Sequence, residues 1–561
     1  MQALLVDLGA GQIYQEKFDL ALGRFLGGRQ FVSHWLAQEI DPACDPLGCH
    51  NDLVFAPGLL AGTHVSSSNR LSVGGKSPLT GGAKEANAGG VMALHLASNR
   101  IGAIILRGKT RPLSLVVIEQ STATIQACPD LEGKGVYDTS QVLRSRFGPD
   151  CAFGIIGPAG ERSDAMAAIA FSDKDGQPER FAGRGGLGAV MGSKGIKAIV
   201  VRKGQGLKAT RQLRELAKRV AQVAQANSVI TEFFPVVGTA GTLEMVDEVG
   251  GLPVRNFRSG RFEWAGRIGG KALRETLLAR GGTCGHACMP GCVVRCSNRY
   301  VDRDGKHVVG PLEYETIALL GSNLGVGDLD AIARLNRFAN DFGVDTIELG
   351  GALGVALDCG LGDFGDTERI EELASEIARG TPLGLILAQG AAITGKVFGA
   401  RRVPVVKGQA MPGYDPRAVK GNGVTYVTSP MGADHTAGNT IGCDVDHADM
   451  AGKPELSRNT QLRCALFDSL GLCEFISYAF NDDPEPFLAL ARLHLGDDVD
   501  LPTLLDQGKR TIMNELRFNE ACGLGSHTNR LPEFMYTEES PPLGVSWGSP
   551  PRAFAGFWQK D

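Results

Sequence analysis

Short apolar runs separated by glycine-rich turns dominate the first 205 residues of the chain. Three clear examples, rich in Ile, Val and Leu, lie at 101–107, 113–119 and 196–202. Runs of this length, with β-branched residues inside and turn residues on either side, are typical of strands. The pattern therefore predicts a β-rich N-terminal domain over residues 1–205.

After residue 205 the apolar positions recur at intervals of three and four, which is the spacing of an amphipathic helix. Helices are predicted over 328–342 and over 367–378. A stretch rich in Gly, Pro and Asp, at about 403–446, predicts a loop region between two helical parts. We therefore expect the α+β class, with a helical middle domain at 206–402 and a mainly helical C-terminal domain at 403–561.

The chain has 561 residues, which is too long for one hydrophobic core and predicts roughly two to four domains. Its contents of 43% hydrophobic and 21% charged residues are ordinary for a globular protein. The formal net charge of −5 disfavours nucleic acid as the main partner, because phosphate binding depends on an excess of Lys and Arg. No apolar run approaches the roughly 18 residues of a membrane span and nothing at the N-terminus resembles a secretory signal, so we expect a cytoplasmic protein.

Four cysteines recur at every fourth position, Cys284, Cys288, Cys292 and Cys296, and Cys473 lies far downstream. Thiolates on a tight loop can bind three corners of an iron–sulfur cubane, and a distant cysteine can bind the fourth. A disulfide set is a weaker alternative because cytosolic thiols stay reduced. A zinc site is the stronger alternative, although it usually needs a second Cys or His pair roughly 12 to 20 residues further on. The spacing predicts an iron–sulfur site and leaves open which three of the clustered cysteines bind.

Two glycine-rich segments of the N-terminal domain predict a site for an anionic cofactor. Residues 183–188 match the G-x-G-x-x-G pattern of a dinucleotide fold, but a polar turn precedes them where that fold needs a buried strand. The accessible backbone and Arg184 can nevertheless bind a phosphate group. Residues 70–90 combine cations, hydroxyls and glycines in the same way. Each segment has a simpler alternative, a turn between strands that binds nothing.

Short motifs in a fixed order extend from the first strand nearly to the C-terminus. They are KSPLTG at 76–81, NAGG at 87–90, IGPAGE at 156–161, GRGGLGAVMGSK at 183–194, EYET at 313–316, FGVDT at 342–346, YDPR at 414–417, GADH at 432–435 and DSLGLC at 468–473. Together these motifs resemble those of the aldehyde ferredoxin oxidoreductases, a family of tungsten–pterin enzymes. No single motif would suffice, but their order and spacing make the resemblance highly specific.

The resemblance implies a β domain that holds two molybdopterins with one tungsten or molybdenum, covered by two helical domains. It also implies a Mg²⁺ ion bound by the Asn87 side chain and the Gly185 carbonyl group. Two D-x-x-G-L-[DC] motifs of the family hold the pterins from the helical side. The second is intact at 468–473, whereas the first begins with Asn340, which can still accept a hydrogen bond. The implied cofactor-binding residues are Arg70, Lys76, Asn87, Gly89, Arg184, Gly185, Leu187, Asn340, Val344, Asp345, Asp468 and Leu472.

The resemblance further indicates the catalytic and electron-transfer residues. Glu313 is the predicted base toward a metal-bound water or hydrated aldehyde, because burial raises the pKa of a carboxyl group. His435 is predicted either to form a hydrogen bond with the metal oxo group or to polarise the substrate carbonyl group, and Ala437 stands where the family often has Lys. Their simpler alternatives are a helix-capping carboxylate, at Glu313 or Glu315, and a satisfied loop histidine. The family usually has C-x2-C-x3-C where this chain has C-x3-C-x3-C, and the predicted [4Fe–4S] ligands are Cys288, Cys292, Cys296 and Cys473, with Cys284 as a replacement.

The resulting hypothesis is the oxidation of an aldehyde with water to a carboxylic acid, with electrons leaving through one [4Fe–4S] cluster. Ferredoxin, or an iron–sulfur or flavin subunit, is the expected acceptor, and a homodimer is common in the family. A related alternative is the reduction of an aromatic-ring CoA thioester at the same cofactor, since a fold does not fix the substrate. An alternative of another class is a non-catalytic electron-transfer subunit, which the retention of Glu313 and His435 disfavours.

Overall fold

The computed structural model describes residues 2–17, 26–206, 208–496, 498–550 and 553–559. The strands of the N-terminal part are β1 (Gln2–Asp7), β2 (Gln12–Lys17), β3 (Leu53–Pro57), β4 (Leu71–Lys76), β5 (Ala83–Ala88), β6 (Ile101–Arg107), β7 (Ser114–Glu119), β8 (Thr122–Ala127), β9 (Cys151–Ile156), β10 (Ile169–Phe171), β11 (Arg180–Ala182) and β12 (Ile196–Arg202). The helices between them are α1 (Gly28–Glu39), α2 (Met92–Ser98), α3 (Val136–Phe147), α4 (Pro158–Glu161) and α5 (Leu187–Ser193).

Two mixed six-stranded sheets form this part of the chain within the described residues. One has the strand order β2-β1-β6-β3-β4-β5 and the other β11-β10-β9-β12-β7-β8. β1 runs parallel to β6 and β7 runs parallel to β12, whereas the neighbours β3 and β4 are antiparallel. The apolar runs predicted as strands are β6, β7 and β12, whose buried faces contribute to the cores of the sheets. The predicted β-rich N-terminal region is confirmed.

The rest of the described chain is mainly helical. Its helices are α6 (Arg211–Ala226), α7 (Phe234–Val237), α8 (Thr242–Glu248), α9 (Ala265–Ile268), α10 (Gly270–Arg280), α11 (Tyr314–Leu320), α12 (Leu329–Phe342), α13 (Thr346–Asp358), α14 (Thr367–Arg379), α15 (Pro382–Leu387), α16 (Ala391–Phe398), α17 (Lys420–Thr428), α18 (Lys453–Leu470), α19 (Ser477–Asp482), α20 (Glu485–Leu495), α21 (Leu501–Ala521) and α22 (Phe534–Thr537). The short strands are β13 (Thr283–His286), β14 (Ser297–Val301), β15 (His307–Val309), β16 (Val405–Val406) and β17 (Gln409–Ala410). The α+β class is confirmed, and the domain boundaries at residues 205 and 402 stay predictions.

Side-chain caps fix the ends of the two helices predicted in the middle region. Asp328 caps the start of α12, and Gly343 ends that helix in the left-handed conformation. Asp366 caps the start of α14, and Gly380 ends that helix in the left-handed conformation. Both predicted helices are therefore confirmed, and the polar and glycine residues that bound them in the sequence explain where they begin and end.

The glycine-rich stretch predicted as a loop contains more structure than expected. It holds the β16–β17 hairpin and the buried helix α17. A Cβ on Gly421 would come within 2.4 Å of the Thr440 hydroxyl oxygen, and one on Gly423 within 2.2 Å of the Trp547 ring. These glycines were interpreted from the sequence as turn residues, but the structure uses them for close helix packing.

The apolar faces of the helices lie inward. α11 and α13 belong to the largest apolar core of the helical part. Among the described residues, no single helix is long and apolar enough to span a membrane. One pair, Val229–Val237 with Thr239–Glu248, meets the length and composition criterion only when both halves are counted together across a 94° bend.

Candidate metal and cofactor site

The four cysteines predicted to bind a cluster lie on two segments that meet beside the N-terminal sheets. Three lie in the loop between β13 and β14, and Cys473 follows α18. The backbone N–H group of Cys473 donates to the carbonyl oxygen of Ser67 at 2.8 Å. Further backbone hydrogen bonds join residues 468–473 to residues 58–70. The backbone of both segments therefore fixes the position from which Cys473 reaches the cysteine loop.

These four thiols lie close enough to change one another's ionisation. Burial raises the pKa of Cys473 to about 11, and the nearby Cys288 adds to the rise. Burial also raises the pKa of Cys296. The pKa of Cys292 is lowered because its sulfur accepts a hydrogen bond from Cys288. Three of the four neighbouring thiols, Cys288, Cys296 and Cys473, therefore resist ionisation, and a cationic metal group would stabilise their thiolates directly.

The sulfur atoms do not form a compact site for a single metal ion within the described residues. Within the described residues, no three of these sulfurs lie within 4.8 Å of one another. Four thiolates bound to one zinc ion would lie about 3.8 Å apart, given Zn–S bonds of about 2.3 Å. The four irons of a cubane hold their thiolates further apart. The iron–sulfur cluster and its ligand set stay predictions.

Cys284 lies apart from these thiols, on β13. It lines a small surface depression with Val236, Arg274 and Gly285. Burial raises the pKa of its thiol, and Arg274 is the neighbouring charge that opposes the rise. Because Cys284 faces an arginine at the surface and Cys288 faces the other thiols, the structure supports Cys288 as the first ligand of the loop.

Two arginines approach the cysteine loop from the N-terminal sheets. Arg70 donates to the backbone carbonyl of Asn87 at 3.0 Å and lies among the thiols, which raise its pKa despite burial. Arg180 donates to the Ser297 hydroxyl at 2.8 Å and lies 4.0 Å from Glu313. Arg180 was not among the residues predicted from the sequence, because its partners are more than one hundred positions away. The two guanidinium groups stabilise negative charge at the loop.

Asp468, the first residue of the intact pterin motif, lies in a buried group of charges. Arg29 donates to it at 3.4 Å and forms two bonds of 2.9 Å with Glu515. Burial raises the pKa of Asp468 well above its usual range, and the neighbouring Glu85 adds to the rise. A protonated Asp468 can donate a hydrogen bond to an acceptor atom of a bound ligand.

The predicted catalytic residue His435 lies beside Glu315. Its Nδ1 atom is 3.5 Å from Glu315 Oε1, and neither atom has a hydrogen-bond partner among the described residues. The other carboxyl oxygen of Glu315 accepts from the backbone N–H group of Gly413 at 2.7 Å. Burial raises the pKa of Glu315 to about 8 and lowers the pKa of His435 to about 4. Near neutral pH, Glu315 therefore keeps its proton and faces an unprotonated histidine.

Glu313, the predicted base, faces a different set of groups. One of its oxygens accepts a hydrogen bond from the Thr239 hydroxyl, and the other lies 4.0 Å from Arg180. Burial raises the pKa of Glu313. Glu313 also acts on the ionisation of Cys296. The start of α11 thus presents one carboxyl group toward the cysteines and a second, two residues later, toward the histidine.

Arg184 joins the glycine-rich loop of the N-terminal part to two helical segments. It donates to the carbonyl oxygen of Ala410 at 2.5 Å and to that of Ala433. Its Nε atom lies 3.4 Å from Asp345, which also caps α13. The predicted contact residues Arg184 and Asp345 are therefore brought together in the structure.

Asp434, next to the candidate histidine, lies in a second group of buried charges. Its carboxylate pairs with Lys84 and lies 3.9 Å from Arg184. Although burial alone would raise it, these cations hold the pKa of Asp434 below its usual range. Glu348 accepts from the backbone N–H group of Ala410 at 2.9 Å, and burial raises its pKa to about 7. Lys84, Asp434 and Glu348 were not predicted as site residues, although Asp434 stands inside a quoted motif.

The two predicted magnesium ligands have partners within the protein. The Asn87 side-chain oxygen accepts from Arg70, and the Gly185 carbonyl oxygen accepts from the Ser77 hydroxyl at 2.8 Å. Each oxygen retains a second lone pair. Gly185 has a φ of +84°, and a Cβ there would come within 2.3 Å of the Lys84 side chain, so only glycine fits. The magnesium site stays a prediction.

The remaining predicted residues shape the surroundings of the site. Lys76 donates to two backbone carbonyl groups at positions 42 and 44, at 2.5 and 2.8 Å, and so fixes that loop. The Asn340 side-chain nitrogen lies 3.4 Å from the Tyr137 hydroxyl, which ties the altered first motif to the N-terminal part. A Cβ on Gly89 would come within 3.1 Å of the nearest cysteine sulfur. The predicted apolar contacts are all buried: Leu187, Val344 and Leu472.

Sheets and helices thus enclose a group of thiols, arginines and protonatable carboxyl groups, which is typical of a metal-dependent oxidoreductase. The family described as aldehyde ferredoxin oxidoreductase, N-terminal domain, matches residues 3–203. The family described as aldehyde ferredoxin oxidoreductase, domains 2 and 3, matches residues 215–552. The chain belongs to the aldehyde ferredoxin oxidoreductase family, as its motifs predicted.

Individual relatives agree with this assignment. The chain is similar to the tungsten-containing aldehyde ferredoxin oxidoreductases of Pyrococcus horikoshii (33% identity over 97% of this chain and 92% of the relative) and Pyrococcus abyssi (34%, 96% and 91%). It is 25% identical to the WOR-like subunit of the aliphatic sulfonate oxidoreductase of Pyrococcus furiosus, over 84% of this chain and 78% of the relative. It shares its fold with the active-site complex BamBC of benzoyl coenzyme A reductase, solved with 1,5-dienoyl-CoA, at a TM-score of 0.81 and 20% identity over 97% of this chain and 92% of that one. Together these findings support an oxidoreductase with a tungsten–pterin cofactor.

Proposed function

We propose that the chain oxidises an aldehyde with water to a carboxylic acid at a bis-molybdopterin cofactor that holds tungsten or molybdenum. The reaction consumes one water molecule and releases two protons and two electrons. The electrons leave one at a time through a [4Fe–4S] cluster to ferredoxin or to an electron-transfer subunit. The observation that carries the proposal is the pair of Glu315 and His435, whose facing atoms have no other partner among the described residues.

The charges of the surrounding residues fit both cofactors. A cubane with four thiolate ligands is negatively charged, and Arg70 and Arg180 lie at the cysteine loop to stabilise it. Arg184 and the glycine backbone of the same loop suit the phosphate groups of a pterin. The bound metal and pterins would supply a two-electron acceptor and a Lewis acid. The proposed cluster ligands are Cys288, Cys292, Cys296 and Cys473.

Glu315 and His435 are suited to the proton transfers of this reaction. A carboxyl group with a pKa of about 8 can take a proton from an attacking water molecule and release it again near neutral pH. His435, whose pKa is lowered to about 4, stays unprotonated beside it, so its Nδ1 atom, 3.5 Å from the Glu315 oxygen, can orient the carboxyl group but does not take its proton. Glu315 is therefore the proposed base, and Glu313, the base predicted from the sequence, is the alternative. The variants Glu315→Gln and Glu313→Gln distinguish the two.

Three further features belong to the proposal. Asn87 and Gly185 would hold Mg²⁺, whose positive charge would offset that of the pterin phosphates. The pterins would contact the motif that starts at Asn340 and the motif that starts at Asp468. The active form would be a homodimer in the cytoplasm. Gel filtration with light scattering tests the oligomeric state.

Elemental analysis of the protein purified without oxygen is the test of the cofactor assignment. We expect one tungsten or molybdenum per chain with about four irons, the content of a single cubane. The loaded protein should then reduce a viologen dye when given an aldehyde. Zinc in place of iron, with neither tungsten nor molybdenum, would contradict the proposal, and so would a loaded protein that oxidises no aldehyde from a broad aliphatic and aromatic series.

A further inference from the structure

The loop that carries three of the proposed cluster ligands reaches the protein surface. Pro290, Gly291 and Arg295 are exposed between the half-buried cysteines. Ser66 fixes this loop, because its hydroxyl donates to the Gly291 carbonyl oxygen at 2.9 Å and accepts from the Val293 N–H group at 3.3 Å. On this side, the loop that carries the proposed ligands is itself part of the protein surface.

Apolar side chains are exposed next to this loop. Leu278 on α10 is 60% exposed, and Val236 on α7 is 38% exposed. α7 and α10 pack against each other and against β13, the strand that leads into the cysteine loop. Val236, Arg274 and Cys284 line one shallow depression between these elements. An exposed apolar area of this kind, with polar residues around it, is typical of an interaction surface.

Cations without acidic partners surround these apolar side chains. Lys271, Arg274 and Arg295 are exposed, and no carboxylate oxygen among the described residues lies within 4.0 Å of their charged groups. Arg295 is held toward β13 by a hydrogen bond of 2.9 Å to the Gly285 carbonyl oxygen. Glu275 is exposed on the same helix, and the Glu244 carboxylate accepts from the backbone N–H group of Lys271 at 3.1 Å, so three cations and two acids leave a small local excess of positive charge. The whole chain, in contrast, has a formal net charge of −5.

We propose that this surface, which we call the α10 surface, docks an acidic ferredoxin-type electron carrier. The α10 surface consists of Val236, Lys271, Arg274, Leu278 and Arg295. The inference rests on the proposed function, because the carrier must meet a cluster behind the cysteine loop. One electron passes from the reduced [4Fe–4S] cluster of this chain to the oxidised cluster of the carrier, and no bond or proton is exchanged.

The charges and the apolar side chains have separate roles in this docking. Opposite charges speed the encounter of the two proteins and orient the carrier. The desolvated apolar side chains at the centre stabilise the complex once it has formed. A second copy of this chain is a poorer occupant, because a two-fold contact would place the same cations of both copies against each other.

Charge reversal on α10 tests the docking. The variants are the double variant Lys271→Glu with Arg274→Glu and the single variant Leu278→Asp. They change only exposed side chains of α10 and leave the cysteine loop unchanged. Lys396 and Val397 on α16 provide matched controls, because both are exposed and α16 packs against α13 and α15 instead of β13. The control variants are Lys396→Glu and Val397→Asp.

Steady-state rates are measured with an aldehyde and either an acidic [4Fe–4S] ferredoxin or benzyl viologen as acceptor. For the double variant we expect kcat/KM with ferredoxin to fall about tenfold or more at low salt, with viologen turnover retained. Added salt should narrow the difference between the wild type and the double variant, because it screens the charges that the wild type uses. The α16 controls should match the wild type with both acceptors.

A titration of oxidised ferredoxin into the loaded protein separates this proposal from the aldehyde chemistry. Weaker binding to the double variant than to the wild type would support the α10 surface even if no aldehyde were oxidised. Unchanged ferredoxin binding and unchanged ferredoxin kinetics in the double variant would overturn the α10 surface while the proposed function stands. A change in oligomeric state without a change in ferredoxin binding would also overturn it, and would assign the surface to contacts between copies of the chain.

Discussion

The two sides of the candidate site differ in their balance of charge. The cysteine side surrounds the four predicted cluster ligands, and the histidine side surrounds His435 and Glu315. On the cysteine side, four thiols face the guanidinium groups of Arg70 and Arg180. On the histidine side, the buried carboxyl groups outnumber the buried cations. The carboxyl groups are Glu315, Asp345, Glu348 and Asp434, and the cations acting on them are Lys84 and Arg184.

This difference matches two kinds of chemistry. Cations beside the thiols stabilise a negatively charged group whose charge changes by one electron at a time. An excess of buried carboxyl groups cannot remain ionised, so some of them hold protons, as the raised pKa values of Glu315 and Glu348 indicate. We infer that the first region is built for electron transfer and the second for proton transfer.

The largest expected effect concerns the cysteine side. Replacement of Cys473 by Ala removes the ligand from the distant segment, and we expect the iron content to fall from about four per chain to near zero. Turnover with every acceptor should be lost with it. Iron analysis and the visible absorption of the oxygen-free protein measure the change.

Cys284→Ala is the matched control for that variant. Because Cys284 faces Arg274 at the surface, its removal should leave both the iron content and the turnover near the wild-type values. Iron retained in Cys473→Ala, or iron lost in Cys284→Ala, would show that the ligand set is different.

The second largest effect concerns the histidine side. Glu315→Gln should lower kcat for aldehyde oxidation by roughly 10² to 10⁴-fold, the usual range for loss of a general base. A base works when it is ionised, so the wild-type rate should rise with pH through about 8, and the variant should lack that rise. Tungsten and iron contents are measured in parallel, because the variant must remain loaded.

Glu313→Gln separates the two carboxyl groups of the EYET motif. It should retain the rise in rate near pH 8, because Glu313 contacts Thr239 and Arg180 instead of the histidine. Loss of the rise in Glu313→Gln, with its retention in Glu315→Gln, would return the role of the base to Glu313.

The sequence was sufficient for the class of fold and for much of the site. Regular apolar spacing and capping residues define α12 and α14, and β-branched runs define β6 and β7. The order of the motifs identified the family, and this identification is confirmed. These features depend on short segments, which a linear pattern records directly.

The parts that the sequence did not reveal depend on contacts between distant segments. Arg180 and Lys84 meet their acidic partners only after folding, since those partners are 133 and 350 positions away. The choice between Glu313 and Glu315 depends on how the first turn of α11 is oriented, and both residues fit the same motif. Periodicity alone cannot fix such an orientation.

A third prediction concerns the stability of the histidine side. Lys84→Met removes the nearer cation from the buried Asp434 and leaves the more distant Arg184. Removal of one partner of a buried ion pair typically costs about 3 to 5 kcal/mol in the free energy of unfolding. Urea unfolding at neutral pH measures it. The pKa of Asp434 is depressed in the folded protein, so its stabilisation is present above the usual pKa of an aspartate and is lost as the pH falls through the folded value.

The double variant Lys84→Met with Asp434→Asn shows whether the pair itself is responsible. With both charges removed, the protein should lose less stability than with Lys84→Met alone, because no unpaired charge remains buried. A double variant that is less stable than Lys84→Met by the full cost of a second independent change would contradict the pairing.

The smallest expected effect lies on the outer edge of the cysteine side. Asp175 accepts from His286 and from Arg299, both at 2.8 Å, and joins β13 and β14 to the N-terminal part. Although burial opposes it, His286 and Lys174 lower the pKa of Asp175 to about 2, so its contribution is present above pH 4 and is lost as the pH falls toward 2.

Asp175→Asn should therefore lower the free energy of unfolding by less than about 1 kcal/mol, because the side chain is 38% exposed and water screens the contacts. The iron content should remain unchanged, since the Ser66 hydroxyl and the Ser67 carbonyl group hold the cysteine segments independently of this pair. Loss of iron in Asp175→Asn would mean that the cysteine side depends on its surface contacts as strongly as the histidine side depends on its buried ones. The contrast between the two regions would then lie in their charge alone.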